Sequence, residues 1–179
     1  MHFLTLPSEK LLRDYPNIAI YSPLADAIKA GNLALWDKHF EEIKDLAISN
    51  GTYLTLVSAR IVVVRELLRR VSMILYDANN VESLATVDGK VTATSTKERV
   101  SDGLGAIAVR HRYWTRIPFS LFQTALNVST GTNVGMENVE CWLVNLIDGG
   151  YAKGYLSHEK QTAVLSSTDA FPILSLSAR

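Results

Sequence analysis

Along the first third of the chain, apolar residues recur at spacings of three and four, the period that lines one face of an α-helix. The run Leu6-Pro7-Ser8-Glu9-Lys10-Leu11-Leu12 reads as a helix start with Pro7 or Ser8 near the cap, and Asp14-Tyr15-Pro16 closes it. Ser22-Pro23 opens the next helix, which carries Leu24, Ala27 and Ile28 and ends at Gly31-Asn32. Leu33, Trp36, Phe40, Ile43 and Leu46-Ala47 continue the period through a third helix, stopped by Asn50-Gly51. Breaks this short favour antiparallel neighbours, that is, stacked helical hairpins. Residues 52–76 contain the β-branched run Ile61-Val62-Val63-Val64, yet Leu54, Val57, Ile61, Val64, Leu68, Val71 and Leu75 keep the helical step. A run of that length is a helix and not a strand.

From Asp77 to about Arg99 the pattern fades into Asn79-Asn80, Thr92, Thr94-Ser95-Thr96 and Lys97-Glu98. A loop of this length is uncommon inside a compact domain, so residues 77–99 are expected to be a mobile insertion. Beyond it a different order appears. Thr115-Arg116-Ile117-Pro118 is a short extended piece, and helices are expected over 119–128 and 136–147, the second closed by Gly149-Gly150. Strands are expected over 151–156 and 162–166, joined by the turn His158-Glu159-Lys160-Gln161. Strand, two helices and a β-hairpin is the order of a winged helix. The expected fold is mainly α: a helical part over 1–76, the insertion over 77–99, and a winged-helix part over 100–179.

Composition narrows the class. The chain has 179 residues, of which 47% are hydrophobic, enough for one globular domain or a helical segment joined to one small domain. Its single cysteine, Cys141, rules out a disulfide framework or a multi-cysteine zinc site and fits a reducing compartment. No apolar run approaches the length of a membrane span and no secretory signal opens the sequence, so a soluble intracellular protein is expected. Lys and Arg number 18, Asp and Glu 18. A formal charge of zero argues against nucleic-acid binding over the whole surface and leaves room for a local basic patch.

Four stretches together resemble one family. The first is Leu6-Pro7 with Leu11-Leu12, Tyr15-Pro16, Tyr21, Leu24, Ala27-Ile28 and Gly31-Asn32-Leu33. The second is Arg65-Glu66-Leu67-Leu68-Arg69-Arg70. The third, and most specific, is Cys141-Trp142-Leu143-Val144-Asn145-Leu146-Ile147, then Gly150 and Lys153-Gly154-Tyr155-Leu156-Ser157-His158. The fourth is Phe171-Pro172. In this order they resemble the C-terminal part of PCI-domain proteins, in which helical repeats end in a winged helix. The nearest likeness is to the branch shared by COP-nine signalosome subunit twelve and the mRNA-export subunit of the second transcription-export complex. Glu66 stands where that branch usually has Asn, Trp142 where it has a smaller aliphatic, and the polar insertion is longer than typical. Family members carry further repeats before the matched region, so the chain is expected to be a fragment.

The resemblance implies a non-enzymatic scaffold subunit, located in the nucleus with the cytoplasm as a second location, serving mRNA export, transcription-coupled processing or the signalosome. It implies pairing through the winged helix with another PCI subunit, and binding of a small acidic disordered subunit of the Sem/DSS type. A proteasome-lid or initiation-factor type of PCI scaffold is an alternative, and an unrelated winged-helix DNA reader is another.

Candidate residues follow from charge. Arg110, Arg112 and Arg116, interleaved with Tyr113 and Trp114, suit phosphate contact and base stacking, or else a surface for a partner subunit. Lys153 and Lys160 on the wing could add backbone contacts. The second helix of the winged helix bears Glu137, Glu140 and Asp148, which phosphates would repel, so major-groove reading is not expected. On the long helix, Arg65, Arg69 and Arg70 read either as a solvated face, with Glu66 pairing to Arg70, or as the seat of an acidic partner that the resemblance favours. No cofactor is expected, and His2, His39, His111 and His158 have no metal-ligand spacing. Gly103-Leu104-Gly105-Ala106-Ile107-Ala108 spells a dinucleotide fingerprint without the surrounding βαβ unit. Cys141 and Trp142 are both expected in the core, Trp142 as its anchor in the winged helix.

Overall fold

The computed structural model describes residues 16–85 and 113–172. The helix expected over 6–12, residues 86–99 of the expected insertion, the glycine motif of 103–108, and Arg110 and Arg112 lie outside the described residues. A single turn, α1 (Pro16–Ala19), leads into α2 (Ser22–Ala30), α3 (Leu33–Ser49) and the 33-residue α4 (Tyr53–Ala85). Strand β1 (Arg116–Pro118), α5 (Phe119–Thr130), α6 (Met136–Asp148), β2 (Gly154–Ser157) and β3 (Thr162–Leu165) complete the order. This is the expected mainly-α fold with a winged-helix end.

The α2–α3 corner shows why the helical part closes on itself. Gly31 ends α2 in the left-handed region at φ 63°. A Cβ there would also lie 3.0 Å from the backbone nitrogen of Leu67 on α4, so glycine serves both the turn and the close approach. Asn32 then caps α3, its side-chain oxygen accepting the Leu35 N–H at 2.9 Å. Behind the corner, the buried hydroxyl of Ser129 on α5 accepts from Leu33 N–H at 2.8 Å and donates to the Gly31 carbonyl at 2.9 Å. Leu24, Ala27, Leu33, Trp36 and Ile43 meet Val63, Val64 and Leu68 of α4 in the core.

Helix α4 runs about 50 Å, at 1.5 Å per residue. It continues nine residues past the expected end at Tyr76. Loss of apolar period does not by itself end a helix; neither glycine nor proline breaks the stretch before Gly89. The boundary drawn at residue 77 is therefore corrected to a helix that reaches Ala85.

The winged-helix sheet is antiparallel in the order β1-β3-β2. Ile117 faces Ala163, which faces Leu156; one step along, Arg116 faces Val164, which faces Tyr155. Period two sends the first row into the core under α5 and α6 and the second row to solvent. Phe119, Phe122, Leu126, Val139, Leu143 and Leu146 fill the space beneath, and a single apolar cluster runs from Leu24 to Phe171. Two expectations are corrected here. Cys141 is exposed on α6. Trp142 is only half-buried, packed on the rim of the core, whereas Trp36 is the fully buried tryptophan. The α6 stripe that reaches the core is Val139, Leu143 and Leu146, a spacing that leaves Trp142 beside it.

Candidate partner and nucleic-acid surfaces

The arginines of α4 separate into three environments. Arg65 points inward: its Nε donates to the Tyr151 carbonyl at 3.0 Å and its Nη2 to the Pro172 carbonyl at 2.9 Å, with the Phe171 ring 5.8 Å away. Burial, opposed by the nearby Glu66 charge, lowers its pKa from the usual guanidinium range. Arg65 is thus not on the surface expected for an acidic partner. It joins α4 to the connection between α6 and β2 and to the segment that follows β3. Arg60, one turn and a half earlier, makes a two-pronged contact with Asp37 at 2.8 Å for each prong and lies 5.3 Å over the Trp142 ring. That hydrogen-bonded pairing raises its pKa.

Arg69 and Arg70 share Glu66. Arg69 Nε donates to Glu66 Oε2 at 2.8 Å and its Nη2 donates to Oε1, which raises the Arg69 pKa against a partial desolvation. Arg70 Nε stands 3.7 Å from the same Oε1, and its Nη2 donates to the Lys29 carbonyl. The i+4 pair expected from sequence exists, but the i+3 partner holds the carboxylate more closely. One carboxylate between two guanidiniums leaves surplus positive charge at this point of the surface.

Arg70 stands at the rim of a groove of about 440 Å³ between α4 and α5. Its walls are apolar: Leu67, Val71, Ile74 and Leu75 from α4, Leu121 and Val128 from α5. Ile74 is 67% exposed and Val128 81% exposed, values unusual for aliphatic side chains on packed helices. No single motif in the sequence marks this groove, because its two walls lie some fifty residues apart. The spelling Asn127-Val128-Ser129 does not make a glycosylation acceptor here, since Ser129 is buried and Asn127 Oδ1 accepts from Val134 N–H at 2.7 Å.

The basic candidates of the winged helix are unequal. Arg116 is exposed on the solvent row of the sheet; of the described arginines it alone has neither a hydrogen bond nor an ion pair on its side chain. Lys160 is exposed at the hairpin turn. Lys153 is held by Asp169, Nζ to Oδ2 2.6 Å, so it brings less free charge than its sequence suggests. His158 Nδ1 lies 2.8 Å from Glu140 Oε1, tying the wing to α6. Trp114 is fastened by its backbone, N–H to the Ser72 carbonyl at 3.0 Å and carbonyl from the Ser72 hydroxyl at 2.9 Å. Its indole lines a cleft of about 390 Å³ with Arg116, Pro118, Asn79 and Ser120. Glu137 and Asp148 are exposed on α6, where their charges would oppose an approaching phosphate. Among the described residues no three His, Cys, Asp or Glu side chains form a group that could hold a metal ion.

Comparison with known proteins agrees with this architecture. A family model described as the PCI domain matches residues 106–167, which takes in the whole winged helix. The chain is 33% identical over 168 residues to a protein named Protein CSN12 homolog from Schizosaccharomyces pombe, covering 93% of this chain and 31% of that protein. A Protein CSN12 homolog from Gibberella zeae is 33% identical over 93% of this chain and 32% of its own length. A PCI domain-containing protein 2 homolog from Caenorhabditis elegans is 29% identical over 95% of this chain and 32% of its own. The chain therefore spans about a third of the length of the curated relatives it matches. Helices stacked against a winged helix, the match of the PCI model and these relatives together show that the chain belongs to the PCI-domain family.

Proposed function

We propose that this chain is the partner-binding end of a non-enzymatic PCI scaffold subunit in a nuclear assembly of the signalosome or mRNA-export kind. Another PCI subunit docks on the winged helix, and a small acidic subunit of the Sem/DSS type lies in the groove between α4 and α5. The observation that carries the reading is the pairing in that groove of exposed aliphatics with surplus positive charge. Ile74 and Val128 offer apolar contact to a short disordered segment, while Arg70, sharing Glu66 with Arg69, meets its carboxylates. A small acidic chain bearing apolar anchors is the complementary ligand. Of the arginines first considered for this role, Arg69 and Arg70 remain, and Arg65 acts from inside.

The test is calorimetric titration of the purified chain with a Sem/DSS-type small acidic subunit. Ile74→Asp and Arg70→Glu should each weaken binding by about tenfold or more, roughly 1.4 kcal/mol per tenfold. Unchanged affinity in both variants would remove the groove from this role.

A second reading, contact with a nucleic-acid backbone, is supported by one observation: the side chain of Arg116 is exposed and unpaired among the described residues. Lys160 and Lys153 stand on the same winged helix, and Arg110 and Arg112 adjoin it in sequence. With about three phosphates neutralised, log affinity should fall with log salt at a slope of roughly −2 to −3.

A further inference from the structure

We propose that the solvent face of the winged-helix sheet is a stacking platform for a single-stranded polynucleotide, with Tyr155 and Trp114 as the base-stacking rings and Arg116 and Lys160 as the phosphate contacts. The proposal rests on the nucleic-acid reading above and specifies its chemistry. The register places Arg116, Val164 and Tyr155 in one row across the three strands, and Pro118, Thr162 and Ser157 in the next. Side chains in such rows point to one face, here the face opposite Ile117, Ala163 and Leu156. Tyr155 is 62% exposed there, an unusual position for a ring whose strand neighbours face the core. Trp114, two residues before Arg116, is 37% exposed and opens the same face into the cleft beside α4 and α5.

Spacing fits a strand of unpaired bases. Neighbouring strands lie about 4.8 Å apart, so the Cα atoms of Arg116 and Tyr155 are separated by about 10 Å across β3. Trp114 lies about 7 Å further along the edge, two residues at 3.3 Å each. Two rings flanking an unpaired guanidinium match the alternation of base and phosphate that single-strand binders use. A stacked duplex presents no ring face to such a surface.

Charge selects the same occupant. No carboxylate belongs to either row of this face. Glu140 and His158 pair on the α6 side of the sheet, Asp169 is held by Lys153, and Glu159 stands beside Lys160 at the turn. Protein–protein interfaces have an apolar centre, and the groove between α4 and α5 has one. The sheet face instead places the unpaired Arg116, beside Val164, between its rings, with Thr162 and Ser157 in the adjoining row, a cationic strip edged by hydroxyls that suits phosphate and ribose.

The experiment is fluorescence anisotropy of the whole chain with short labelled oligouridylate and oligothymidylate, and with a duplex of equal length. Binding of either single strand well above duplex is expected, and the preferred sugar identifies the biological source. Tyr155→Ala should lower affinity by roughly 5- to 100-fold with the salt slope unchanged, as expected for loss of one stacked base, and Tyr155→Phe should restore it. Arg116→Ala should make the slope shallower by about 0.7, one phosphate on a single strand. Both residues are exposed, so melting temperature should hold and an affinity loss should not reflect unfolding. If Tyr155→Ala binds like wild type while Arg116→Ala still flattens the slope, the platform is refuted and plain backbone contact survives. If no single strand binds even at low salt, both fail. If Tyr155→Ala instead abolishes pairing with a PCI subunit and leaves oligonucleotide affinity intact, the face is a protein interface and the platform is wrong.

Discussion

Arg65 shows how much one side chain can decide. A buried guanidinium whose hydrogen bonds go to carbonyls and not to a carboxylate stands there because Tyr151 and Pro172 need donors where helix, hairpin and tail converge. Arg65→Met should destabilise the chain by about 3 kcal/mol, since two charge-assisted hydrogen bonds go and two half-buried acceptors lose their partner. Lysine keeps the charge but cannot make the fork, so Arg65→Lys should recover only part of it. Urea unfolding of the three proteins checks this; equal midpoints would mean water replaces the guanidinium at no cost. Gly31 gives a second test at this scale. Gly31→Ala combines a left-handed φ of 63° with a 3.0 Å approach to Leu67 N, and should cost about 2–3 kcal/mol. Gly131→Ala has a φ of 70° but open space, so strain alone acts and about 1 kcal/mol is expected. Comparable losses at the two sites would mean that the contact with α4 relaxes freely. Neither the inward turn of Arg65 nor the contact at Gly31 was visible in sequence, where Arg65 looked like its neighbours Arg69 and Arg70.

At the scale of elements, periodicity read the helices well because each buries one stripe against another. Val139, Leu143 and Leu146 form such a stripe on α6, and Trp142 lies beside it. An indole strengthens any apolar pattern by its size, which is why Trp142 looked like the anchor. The structure gives that role to Trp36 on α3. Trp36→Ala should therefore cost about 3–5 kcal/mol as a full core deletion. Trp142→Ala removes a half-buried ring and its cation–π contact with Arg60, for about 1–3 kcal/mol. Denaturant titration of the two variants decides the order; a larger loss at Trp142 would return it to the core. The end of α4 was misplaced for a related reason. Residues 77–79 are exposed, and from Asp77 to Ala85 the sequence keeps no sustained apolar period; period alone cannot tell a helix without a buried stripe from a loop.

On the scale of the whole molecule, the expected division into a helical part and a winged-helix part describes sequence better than it describes packing. One apolar cluster crosses the boundary. Polar bridges join the two parts at several places, among them Ser129 to the α2–α3 corner, Ser72 to Trp114, and Arg65 to Tyr151 and Pro172. The described parts should therefore unfold together, with helix ellipticity and tryptophan fluorescence tracing one transition. Two separated transitions would show that the winged helix is stable without the stack. The candidate surfaces belong to this scale as well, since each is assembled from elements distant in the chain.

What the order of residues settled was local and periodic: the helices, the hairpin, the family motifs, and the winged-helix end. These follow from propensity, capping and the 3.6- and 2-residue periods, which act over a few positions at a time. What only the tertiary structure decided was partnership. Which of Arg60, Arg65, Arg69 and Arg70 turns inward, which lysine is already held by a carboxylate, and where Ile74 and Val128 meet to form a groove depend on atoms brought together from far along the chain. Burial and charge pairing are properties of the assembled core, and no spacing within a single element contains them.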